Sequence, residues 1–220
     1  MPSRLENFSV RKAHATQARL SKKVIREDKL PPKINTVGGV DVSYLGDLGI
    51  GAVTVLDYES LEVLEAKVAT CNIRIPYLPT LLSFRELPPT LAAIKQLKTQ
   101  PDVFLADAQG IAHPFRCGFA SHLGLALGKP TIGVAKSRLL GEEAKISGRT
   151  FLVETDEIIG EVVETEQDAK PVYVSIGHMV SLESAVKIVK DISIRRIPEP
   201  TFQAHRLATE HRILLADKAK

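Results

Sequence analysis

Apolar and polar residues alternate most regularly in the first half of the chain. The runs INTVGGVDVSY, GIGAVTVLDY and LEVLEAKVAT are β-rich and separated by the short turns LGDLG and ESL. Such turns leave no room for crossover helices, so the pattern predicts a three-strand antiparallel meander. Ahead of it, residues 8–30 form a basic helical pattern stopped by Pro31 and Pro32. Behind it, in PYLPTLLSFRELPPTLAAIKQLKTQ, the residues Leu87, Leu91, Ile94 and Leu97 keep a helical period. Pro88 and Pro89 fit such a helix only near its first turn or at a break, which places Glu86 at a helix junction.

The run DVFLAD is short and apolar enough for a fully buried strand. A helix is predicted near Gly118–Leu127, followed by a second buried run, TIGVA. Strand, helix, strand implies a parallel, right-handed crossover. Between Thr150 and Ile176 the runs FLVE, EIIGEVVE and PVYVSI add strands whose order the pattern does not determine. Two helices close the chain. One spans Ser181 to Lys190 on a stripe of Leu182, Ala185, Val186 and Val189; the other begins near Thr201 after the stop signal IPEP and buries Ala204, Leu207, Ala208 and Leu215, with His205 at the edge of that face. A meander followed by strand–helix–strand units gives an α/β fold: a mixed sheet with helices on its faces, an order that resembles the ribonuclease H-like fold. There is no internal repeat or low-complexity linker, so residues 1–220 are predicted to form a single domain.

Composition adds limits. No apolar run reaches the roughly 18 residues of a spanning helix, and MPSRLENFSVRK has no apolar signal region, so a cytoplasmic, membrane-free protein is expected. Cys71 and Cys117 lack metal-type spacing and read as reduced, packed thiols. The net charge of +3 decides little, but its distribution is uneven. Residues 1–30 hold eight Lys/Arg against three acidic side chains, residues 187–220 eight against four, and residues 141–170 nine acidic groups against three basic ones. Basic ends and an acidic middle suit one face turned to phosphates, although charge runs also serve as plain solvated surface.

The candidate chemistry lies in three acidic residues in apolar settings: Asp41 in VGGVDVSY, Glu86 in LLSFRE and Asp107 in VFLADAQGIAHP. A carboxylate at the end of a buried run is costly to desolvate unless something binds it. Carboxylates converging from separate elements hold Mg²⁺ or Mn²⁺, which activates water and stabilises a phosphoryl oxygen. Each residue also has a plainer reading. Asp107 fits an Asx-turn into Gly110, and Glu86 beside Arg85 fits a surface ion pair; Asp41, between Val40 and Val42, is harder to dismiss because Asp is depleted inside strands. His113, His122, His178 and His211 each fit a structural role. GVAKS lacks the glycine frame of a phosphate loop, but Lys136 at a strand end can still meet a phosphate.

Taken in order, VGGVDVSY, PYLPTLLSFRE, DAQGIAHP with GFASHLGLALGKPTIGVAKSRLLG, SIGH and RRIPEPTFQAH resemble endonuclease V from about Val37 to His211. That resemblance implies a DNA repair endonuclease that recognises deaminated adenine (deoxyinosine) and cuts the second phosphodiester bond 3′ to it, leaving a 3′-hydroxyl and a 5′-phosphate. It implies Mg²⁺, with Mn²⁺ substituting, on Asp41, Glu86 and Asp107. His205 would orient or protonate and Lys136 would contact phosphate. Pro76, Tyr77, Leu78 and Pro79 would form a wedge entering the duplex beside the flipped nucleotide, with Thr80, Gly110 and His113 in the substrate-binding set. The implied partner is deoxyinosine-containing DNA, with inosine RNA as an alternative substrate and a non-catalytic nucleic-acid-binding module or a structure-selective resolvase as rivals; a monomer is expected.

Departures from the family pattern fall at Thr80 and Ala108, each where Gly is usual, at Phe115, which displaces Arg by one place to Arg116, and at Phe202. Because a β-branched residue tolerates positive φ poorly, Thr80 is predicted at negative φ, capping a helix that opens at Leu81.

Overall fold

The computed structural model describes residues 8–218. Helix α1 (Val10–Ser21) starts at Ser9, whose side chain accepts from the Lys12 amide. It stops well short of the expected residue 30. Beyond it the chain is held by tertiary bonds instead: the Ile25 amide donates to His178 Nδ1, and the Lys29 amide to the Met179 carbonyl. Strands β1 (Thr36–Leu45), β2 (Leu48–Asp57) and β3 (Val63–Asn72) form the predicted meander.

After α2 (Leu82–Ile94), β4 (Val103–Ala106) lies parallel to β1. Helix α3 (Phe119–Leu127) then crosses to β5 (Thr131–Ala135), parallel to β4. Strands β6 (Glu142–Ile146), β7 (Arg149–Glu154), β8 (Glu157–Val163) and β9 (Val172–His178) complete a nine-stranded mixed sheet, ordered β3-β2-β1-β4-β5-β9-β8-β7-β6. The edge strand β6, EEAKI, has no apolar alternation to announce it; it forms by pairing with β7 across a Ser147–Gly148 turn with both residues at positive φ. Helices α4 (Leu182–Asp191) and α5 (Glu199–Lys218) follow.

The central strands are buried on both faces. In β4, Phe104 belongs to a core cluster shared with α2 and α3, while its neighbour Leu105 belongs to one shared with α4. Each is fully buried, which contributes about 1.5–3 kcal/mol per side chain. Cys117 is buried and Cys71 half-buried, both as free thiols.

Two glycines set how closely helices approach the β1–β2 hairpin. A Cβ on Gly39 would lie 2.0 Å from the Pro200 carbonyl oxygen at the start of α5, and one on Gly51 would lie 2.4 Å from the Pro89 carbonyl of α2. Gly39 pairs with Thr54 and Gly51 with Val42, so the two contacts are on opposite faces. The Gly51 contact also explains why Pro88 and Pro89 lie inside α2 rather than at its first turn or a break. They remove the amides that would bond the Phe84 and Arg85 carbonyls, but the close seat on the sheet holds the helix together across them.

Candidate functional site

Asp41 lies two residues beyond Gly39 on the face covered by α5, where His205 Nδ1 is 2.7 Å from its Oδ2. The parallel register pairs Val40 with Ala106, so the next residue on each strand, Asp41 and Asp107, come side by side. Asp41, Asp107 and His205 each offer a ligand atom, all within 4.8 Å of one another. Glu86, in the second turn of α2, approaches from the opposite face. Burial, and then repulsion from Asp41 and Asp107, raise its carboxyl well above the ordinary range against an opposing Arg85. Asp41 is raised too, by burial and then by Asp107, with the His205 hydrogen bond opposing. The plainer reading of Glu86 does not hold: Arg85 donates to the Ile75 carbonyl and sits 4.8 Å from the Tyr44 ring centre. Lys136, just past β5, forms an ion pair with Asp107 Oδ2, and its carbonyl accepts from Arg196 Nη2 at 2.9 Å.

This chemistry suits a divalent cation. Two hard oxygen donors, from Asp41 and Asp107, stand with His205 as one group, while Glu86 lies outside that group and is coupled to it by repulsion; burial and then that repulsion hold Asp41 and Glu86 above their ordinary ionisation range.

A cavity of about 370 Å³ opens beside the cluster, with Asp107 and Lys136 in its wall. Tyr77, Leu78, Pro79 and Thr80 form one side, and Ala108 and His113 lie at another. Tyr77 is 69% exposed, unusual for an aromatic ring of the core. Two residues assigned to the substrate set do not line this cavity. Pro76 is outside it, and Gly110 is buried behind it, its amide donating to Ser175 Oγ and its Cα set against the Ile176 carbonyl.

Thr80 contradicts the expectation of negative φ: its φ is +68°. It does not cap α2, whose N-cap position is Leu81, with no side-chain bond. The Thr80 hydroxyl instead meets His14 Nε2 at 3.1 Å. The Thr80 carbonyl accepts from Gln17 Nε2 at 2.8 Å and lies 3.0 Å from His113 Nε2. His113 Nδ1 accepts from the Phe115 amide, so its proton sits on Nε2 and donates to Thr80. Burial pushes His113 down to about 4, which keeps it neutral for that bond. His14 and Gln17 were not among the residues singled out in the sequence, where α1 reads only as a basic helix. The one available signal was Gln17 at four residues from Ala13, the two buried positions of that helix.

Paired carboxylates from β1 and the end of β4, with a histidine and a lysine beside them on a mixed sheet flanked by helices, fit the class of ribonuclease H-like nucleases, which hydrolyse phosphodiester bonds. The sequence profile of Endonuclease V matches residues 18–206. An Endonuclease V of Thermofilum pendens is 44% identical over 94% of this chain and 90% of its own. The crystal structure of Endonuclease V from Streptomyces avermitilis superposes with a TM-score of 0.88 at 35% identity, covering 96% of this chain and 95% of that one. The Ciona intestinalis enzyme, crystallised with a 24-mer DNA containing an inosine followed by a ribo-adenosine, gives 0.85 at 31% identity, over 94% and 98% of the two chains. The chain belongs to the endonuclease V family, nucleases of DNA repair that act on deaminated lesions. Among the described residues no helix is long and apolar enough to cross a membrane.

Proposed function

We propose that this chain, acting as a single-domain cytoplasmic monomer, recognises hypoxanthine in DNA and hydrolyses the second phosphodiester bond 3′ to it, leaving a 3′-hydroxyl and a 5′-phosphate. The observation that supports this best is the cavity walled by Tyr77, Leu78, Pro79 and Thr80 that opens directly beside Asp107 and Lys136. A flipped base in that cavity leaves the strand running past the carboxylates.

Asp41, Glu86 and Asp107 would hold Mg²⁺, with Mn²⁺ as a substitute. When bound there, the ion supplies an activated water and neutralises charge on the phosphoryl group. His205 donates its Nδ1 proton to Asp41, which orients the ring and leaves Nε2 for proton exchange at the attacking or leaving oxygen. The Lys136 ammonium exchanges its ion pair with Asp107 for one with a phosphate oxygen. Tyr77 fills the gap left by the turned-out nucleotide and offsets an unstacking cost of a few kcal/mol.

The test is purified protein with Mg²⁺ on end-labelled DNA and RNA strands, with and without one inosine, separated on a sequencing gel. One inosine-dependent product, two bonds to the 3′ side, is expected. Equal cutting of unmodified strands would overturn the reading. Inosine-containing RNA is kept as a second substrate because the Ciona ligand carries a ribonucleotide next to its inosine, and the RNA arm of the same gel decides it.

A further inference from the structure

Thr80 and Phe115 touch the same side chain. His14, on α1, places Nε2 3.1 Å from the Thr80 hydroxyl and stacks its ring on Phe115, with centroids 4.3 Å apart and planes 22° from parallel. Thr80 has φ +68°, a conformation that costs a β-branched residue free energy and that glycine adopts freely. Two further donors, Gln17 Nε2 and His113 Nε2, converge on its carbonyl. Gln17 is fully buried and also donates to the Cys117 carbonyl at 3.2 Å, tying α1 to the chain just before α3.

We infer that His14 is a positioning residue for lesion recognition: with Phe115 it forms a latch that holds Thr80 in the left-handed conformation and so sets the shape of the cavity wall. Glycine would need no latch. Threonine at this position does, because the backbone path it must follow is one its own side chain opposes. The stack on Phe115 fixes the His14 ring, and the hydrogen bond to the hydroxyl offsets part of the strain. Gln17 and His113 orient the peptide that follows Thr80. His14 itself is outside the cavity lining, so it acts through Thr80. The inference rests on the reading of the cavity as the base site, but the latch itself is testable without substrate.

The experiment is a double-mutant cycle of His14→Ala and Thr80→Gly, with His14→Gln and Phe115→Ala as companions. Thermal unfolding of the full chain, with no nucleic acid present, reports the latch. His14→Ala should lower Tm in the wild-type background and by less than about half as much beside Thr80→Gly. Binding to an inosine strand in Ca²⁺ and cleavage in Mg²⁺ report its role. His14→Ala should raise KM about tenfold, with a smaller change in kcat, and about twofold or less beside Thr80→Gly. His14→Gln, which retains a hydrogen-bonding partner for the hydroxyl, should recover most of the loss. Phe115→Ala should resemble His14→Ala and not add to it. Equal losses in both backgrounds, in Tm or in KM, would overturn the latch and leave His14 as mere packing. Coupling in Tm together with a wild-type enzyme indifferent to inosine would keep the latch and sink the substrate reading instead.

Discussion

The carboxylate cluster and the cavity beside it share Asp107 and Lys136, yet they are built by opposite means. The cluster is set by regular structure. Asp41 and Asp107 are neighbours because β1 and β4 are in parallel register, and Glu86 and His205 arrive on helices that two glycines allow to sit against the backbone of one hairpin. The cavity is set by loops. Its wall depends on a threonine in a left-handed conformation, held from outside by α1 and by the loop around His113. Chemistry that demands sub-ångström placement is carried by regular structure, and on the function proposed above discrimination between bases falls to segments that the sheet does not constrain.

The sharpest break in that comparison removes the chemistry and leaves recognition standing. Asp107→Asn deletes one of the proposed metal ligands at almost no steric cost, and several kcal/mol of transition-state stabilisation should go with it, roughly a 10³-fold loss in single-turnover cleavage. Gel-shift affinity for an inosine strand should stay within a few-fold. Nicking by a homogeneous Asp107→Asn preparation at the wild-type rate would refute the placement of the ion.

The next test attacks the register-and-glycine frame. Gly39→Ala drives a methyl into the Pro200 carbonyl, so α5 must lift and draw His205 away from Asp41. Overpacking of this kind costs about 1–3 kcal/mol, measured by urea unfolding, with cleavage falling alongside. A variant of full stability and activity would show that α5 has slack.

Glu86→Gln separates stability from function. The raised carboxyl of Glu86 costs the metal-free fold nothing at pH values below the unfolded carboxylate range; the cost grows as pH rises through that range towards the higher folded-state value. At pH 7 in EDTA, Glu86→Gln should therefore melt above wild type while cutting far less. For the wild type, divalent binding should release protons and tighten as pH rises, and by mass action it should add about 2.7 kcal/mol to the unfolding free energy at a hundred times Kd, with a corresponding rise in Tm. A lower Tm for Glu86→Gln in EDTA would show that the carboxylate is satisfied without an ion.

Smaller effects belong to the cavity side. Tyr77→Ala should narrow the preference for inosine over undamaged strands by about 1–3 kcal/mol, the worth of an aromatic stack on a base, as read by competition cleavage. Equal losses on both strands would make Tyr77 a general contact. Lys136→Ala should flatten the salt dependence of binding by about one counterion, and an unchanged slope would confine Lys136 to its pairing with Asp107.

The same division explains what could be read from the sequence. The meander, the crossover, Asp41 inside its strand and Asp107 just past the end of another follow from alternation and from Asp placed where apolar residues dominate. His205 needed the family resemblance, since its spacing shows only a position at the edge of a helical face. Pro88 and Pro89 misled because the local rule against internal proline was overridden by a contact more than thirty residues away, at Gly51. The Thr80 conformation departs from the expected negative φ for a related reason: the partners that hold it, His14 and Gln17, lie 66 and 63 residues away on a helix whose pattern shows only charge.

The dependence of Thr80 on α1 means that the cavity wall is not a self-contained loop. Its shape is open to adjustment from His14 and Phe115, neither of which lines the cavity, so the fit of the wall can be tuned at a distance while the acids on the sheet stay untouched.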